Sequence, residues 1–91
     1  MNAQNHIHAA VRFPSQAHLN PNMSRLLEFP SQALAKGHGL AGIAVVCEGI
    51  AHGLLTAAVT AEDGDIVNSE DLEAAAVWFV AVSKACRAAR Q

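Results

Sequence analysis

Residues 40–59 form a run of twenty in which only Glu48, His52 and Thr56 are clearly polar. A stretch of that length and apolarity has two fates: it crosses a bilayer, whose hydrocarbon takes ~20 helical residues, or it is enclosed by protein. Crossing would place Glu48 near mid-membrane at about 2.5–3.5 kcal/mol, and neither Lys/Arg nor Trp/Tyr anchors its downstream end. We read it as an enclosed helix. Sheet is disfavoured throughout, because nineteen residues are alanine, four are aromatic and none is tyrosine. With 91 residues, 52% of them hydrophobic and 15% charged, the chain has room for one small ordered domain. The expected class is all-α.

The remaining punctuation defines the rest of the architecture. All three prolines, Pro14, Pro21 and Pro30, fall in the first thirty residues among Asn, Gln and His, which reads as a flexible arm over 1–29. Asn20-Pro21 is a cap and first-turn pair, predicting a short helix over 21–28. Phe29-Pro30 should end it. The word Phe-Pro-Ser-Gln-Ala occurs at 13–17 and again at 29–33; it reads as two helix starts, or as a doubled docking motif with each Phe an anchor. A long helix is then expected over about 31–60, with a kink or a later start near Leu40 because of Gly37, Gly39 and Gly42. Glu62, Asp63, Gly64 and Asp65 make a turn. Asn68 caps a last helix over about 69–89, with Asp71 in its first turn, and Val67 against Leu72 as a hydrophobic staple. Lys84, Arg87 and Arg90 suit the negative end of its dipole. The domain proper is therefore an antiparallel helical hairpin within 30–91.

Both helices of that hairpin carry apolar residues nearly all round. Leu72, Ala76, Phe79, Ser83 and Cys86 form one stripe of the second, while Val77, Trp78, Val80, Ala81 and Val82 fill much of the rest. One partner helix cannot cover so much, so dimerisation into a four-helix bundle is expected. Gly49-x-x-x-Gly53 offers a shallow groove for close approach. The expected interface is Gly49, Ile50, Gly53, Leu54, Leu55, Trp78, Phe79 and Val82, with the large side chains as anchors.

Chemistry-bearing patterns are sparse. A net charge of -2 from six Lys/Arg and eight Asp/Glu gives no nucleic-acid footprint. Cys47 and Cys86, with no apolar run near the start to act as a secretory signal, suggest reduced thiols in a cytoplasm. On the antiparallel register the two thiols are offset along the axis, which disfavours a disulfide. Glu48 and His52 are four apart on one helical face; with Cys47 and Cys86 they constitute a possible metal- or thiol-responsive cluster. His6, His8, His18 and His38 are further ligand types. Ser15, Ser24, Ser31, Ser69 and Ser83 lie outside any nucleophile elbow, and Gly37-His38-Gly39 lacks the strand and lysine of a phosphate loop. No catalytic residue and no cofactor are expected.

The alanine-rich helix followed by the helix containing residues 73–89 resembles short proteobacterial helical-hairpin proteins of unknown function. The segment Cys47-Glu48-Gly49-Ile50-Ala51-His52-Gly53-Leu54-Leu55 with that second helix is more distantly similar to quorum-sensing antiactivators of the QslA type. That resemblance implies binding to a LuxR-type transcription activator and blocking its dimerisation. The expected function is thus regulatory and non-enzymatic, through protein contacts; the alternative is a small metal- or thiol-responsive protein using Cys47, Glu48, His52 and Cys86.

Overall fold

In the computed structural model, which describes residues 11–62 and 64–90, Asn20 opens the first helical segment: its side-chain oxygen accepts the Asn22 backbone N–H at 2.9 Å. Pro21, whose missing N–H costs nothing at a first position, begins a short 3-10 turn over Pro21–Met23. It runs into α1, Ser24–Leu27, and after a single turn residue, Glu28, into α2, Phe29–Ala35. Pro30 has no N–H with which to continue the ladder from α1, and this divides the two helices. The Phe-Pro pair therefore closes the short helix, as expected, and also opens the next one.

The expected long helix over 31–60 is two helices. Gly37 adopts φ 86, and around it the His38 N–H donates to the Ala33 carbonyl and the Gly37 N–H to the Leu34 carbonyl, both at 3.0 Å. This paired bond pattern ends α2 by satisfying carbonyls that would otherwise be orphaned. The chain restarts at α3, Leu40–Thr60, and after a turn enters α4, Ser69–Arg90. The start of α4 is capped reciprocally: the Asn68 N–H donates to Asp71 at 3.0 Å and the Asp71 N–H to Asn68 at 2.9 Å. Helices α3 and α4 pack antiparallel along their length, giving a rod of 49 × 20 × 18 Å. Among the described residues all regular structure is helical.

The segment expected to be a flexible arm is packed from residue 11 onward. Leu19, Met23 and Leu27 are buried in the same core as Ile43 and Cys47 of α3 and Phe79, Val82 and Cys86 of α4. Polar bonds fix the placement: Trp78 Nε1 donates to the Pro14 carbonyl at 3.0 Å, and the Asn20 amide donates to Asp71 at 3.0 Å and to the Ile66 carbonyl at 2.9 Å. The division between an arm over 1–29 and a hairpin domain over 30–91 gives way to one shared core. Residues 1–10 of that expected arm lie outside the described residues.

The two copies of Phe-Pro-Ser-Gln-Ala also part company. The second begins α2, whereas the first is a turn in which Ser15 Oγ accepts the Ala17 N–H and Gln16 reaches the Leu27 carbonyl. Only one is a helix start. Phe13 and Phe29 both pack, partly buried, against the chain's own core.

Candidate protein-contact face

The N-terminal segment covers one side of the hairpin, the side of Trp78, and leaves another open. The register of the open side is set by Glu48: its Oε2 accepts the Ser83 hydroxyl and both Nε and Nη2 of Arg87, at 3.0 and 2.7 Å. These bonds place the Glu48 edge of α3 beside the Ser83 and Arg87 edge of α4. They also hold the Glu48 carboxyl below the usual carboxylate range, the Ser83 hydroxyl contributing most and the Arg87 guanidinium next.

Along that edge of α3, Val45, Glu48, His52, Leu55 and Val59 follow a 3,4 spacing and all are exposed. Val59 is 84% and Leu55 48% exposed. Among the described side chains of α4 the exposed positions are Glu70, Glu73, Val77, Val80, Lys84, Arg87 and Ala88, and the first six again follow 3,4 spacing. Val77 is 68% exposed. The antiparallel register from Glu48 brings Leu55 to the level between Ala76 and Val80. The result is an open face on which aliphatic side chains from two helices share space with charges of both signs.

The residues expected to form an interface divide into two groups. Leu54, Trp78, Phe79 and Val82 are buried inside the single chain, with the Trp78 and Phe79 rings packed edge to face at a centroid distance of 5.0 Å. Their place is the chain's own core, and no partner can reach them without opening it. Gly49, Gly53 and Leu55 are exposed and Ile50 is half-buried. A Cβ built on Gly49 or Gly53 meets no atom within 4 Å, so the glycine groove faces away from both α4 and the N-terminal segment. Sequence reasoning missed the charged and valine stripe of α4 as a contact surface, although its spacing is visible there; Val82 and Trp78 mask it, because they look equally exposed until the N-terminal segment is placed.

Cys47, Glu48, His52 and Cys86 are not brought to one point. Both cysteines are free and fully buried, whereas Glu48 and His52 lie on the surface. Among the described residues no three His, Cys, Asp or Glu side chains are grouped so as to hold a metal ion. Burial, the neighbouring Cys86 and Glu48 push the Cys47 thiol up to about 12, and burial raises Cys86 as well. Thiols held so firmly protonated are weak nucleophiles and poor metal ligands. His18 and His38 are exposed and apart from this cluster, and His6 and His8 lie outside the described residues.

A shallow apolar depression of about 150 Å³ lies between α2 and α3, lined by Phe29, Ala33, His38, Gly42, Ile43 and Val46. It is smaller than the roughly 300–1,000 Å³ typical of ligand sites. By length and composition α3 is also long and apolar enough to cross a membrane. Compared with protein-family models, characterised proteins and solved structures, the chain matches none.

Proposed function

We propose that this chain is a cytoplasmic, non-enzymatic helical protein that works by protein contact through the open face of the α3–α4 hairpin. The carrying observation is where most of the exposed large aliphatic side chains lie: one flank is closed by the chain's own N-terminal segment, while Val45, Leu55, Val59, Val77 and Val80 remain exposed on another, with Val46 and Ile66 exposed elsewhere. Exposed aliphatic side chains interspersed with charge on one helix pair have the composition of a contact patch. A helix pair of this kind presents side chains one turn apart to a groove on a partner. The finer form of the proposal is an antiactivator that sequesters a transcription regulator, in keeping with the similarity of residues 47–55 and α4 to the quorum-sensing antiactivators.

The test is co-purification from the native cell with a Leu55→Glu variant beside the wild type. The wild-type chain should retain a protein partner that Leu55→Glu loses while its helical circular dichroism is unchanged. A partner held equally by both, or none held by the wild type, would overturn the proposal. A second reading, a thiol-responsive protein, draws on the adjacency of Cys47 and Cys86 in the core. It requires that Cys47→Ser with Cys86→Ser abolish function; under the contact reading the doubly substituted chain keeps its partner.

A further inference from the structure

We infer that the open face takes a second copy of this same chain, laid antiparallel so that α4 crosses its symmetry mate along Glu70, Glu73, Val77, Val80, Lys84 and Arg87. The inference rests on the reading of this face as a contact surface and specifies what covers it in the free protein, before a cellular partner takes it. All six side chains are exposed, and among the described side chains of residues 69–89 only Ala88 is exposed outside them. Their 3,4,3,4,3 spacing is the seam period of paired helices.

The order of chemistry along the seam decides the partner. Two acids come first, two valines lie in the middle and two bases come last. Turning the helix end for end about a two-fold axis between Val77 and Val80 sets Glu70 against Arg87, Glu73 against Lys84 and Val77 against Val80, each pair occurring twice by symmetry. In-register parallel pairing would instead set acid on acid and base on base. The surface is therefore complementary to itself in one orientation.

A helix dipole alone favours acids at the start and bases at the end. It does not account for four of the six charges of α4 falling on one stripe, Asp71 and Arg90 being the two off it, nor for two valines left exposed between them. Asp71, the acid off the stripe, is already engaged at the helix cap. Among the described residues Glu70, Glu73 and Lys84 make no ion pair, whereas Arg87 is paired with Glu48 through Nε and Nη2, which leaves Nη1 for a carboxylate from across the seam. Leu55 of α3 flanks the crossing point and would extend the apolar centre of the contact.

Sedimentation of the full chain, from micromolar to near-millimolar, tests this. The wild type should dimerise, and should do so less tightly as sodium chloride is raised. Glu73→Lys and Lys84→Glu should each weaken self-association by about tenfold or more, since each sets like charges together twice. An equimolar mixture of the two variants should recover a heterodimer, because the new lysine of one chain then meets the new glutamate of the other and both like-charge clashes disappear. A wild type that stays monomeric, reversals without effect, a mixture that gains nothing or association indifferent to salt would overturn the pairing. So would partition of the chain onto phosphatidylglycerol and phosphatidylcholine vesicles in place of self-association. Any of these results alongside a cellular partner still lost in Leu55→Glu removes the antiparallel pairing alone; retention of that partner by Leu55→Glu removes the broader reading.

Discussion

Phe79 is fully enclosed between α3, α4 and the N-terminal segment, and truncating it leaves a void that rigid helices cannot close. Phe79→Ala should therefore cost about 3–5 kcal/mol in urea unfolding; a loss no larger than that of a surface substitution would contradict the core described above. Two carboxylates make stability respond to acid. Glu48 is held low by the Ser83 hydroxyl and then Arg87, and Asp71 by the Asn68 backbone N–H and then the Asn20 amide. A group whose carboxyl ionises more readily folded than unfolded contributes fully above its unfolded value, and the contribution drains away as pH falls through the folded one. The melting temperature should hold steady from neutrality down to about pH 5 and then decline, with a shallower decline in Glu48→Gln. An unchanged slope in that variant would detach Glu48 from the effect.

The glycines of helix ends and helix faces play opposite roles, and substitution separates them. Gly37 occupies the left-handed region at φ 86, so Gly37→Ala should destabilise by about 1 kcal/mol. Gly49 sits in mid-helix with open space where a Cβ would be, so Gly49→Ala should stabilise by about 0.5–1 kcal/mol. Thermal melts of the two variants moving in the same direction would refute this contrast. These elements also mark how far the chain could be read in advance. The hairpin, its turn and the Asn68 cap were legible because they depend on local periodicity and on side chains bonding their own backbone. The stop at Gly37 was visible only as a glycine-rich interruption, because identical glycines either terminate a helix or merely weaken it. The twin Phe-Pro-Ser-Gln-Ala words look the same in sequence and fold differently, the first being drawn into a turn by Gln16 bonding to Leu27 and Pro14 to Trp78.

For the molecule as a whole, the excess of apolar surface on the two long helices was legible, but not its division between inside and outside. Trp78 and Val82 look no more buried than Val77 and Val80 until the N-terminal segment is seen to cover one flank. Local pattern carries no information about that long-range closure, which is why Trp78, Phe79 and Val82 read as interface in the sequence and are found in the core. Removing residues 1–29 should therefore lower helicity and promote aggregation, by uncovering the flank that Leu19, Met23 and Leu27 occupy; a truncated chain melting like the full one would show the cover to be dispensable. The same closure imposes an order of events during synthesis. The segment around Leu19 to Leu27 leaves the ribosome before α4, yet the surface it seals is completed only once α4 has been made. Until then the greasy stretch has no native place to go, so the final collapse of this core waits for translation to pass α4.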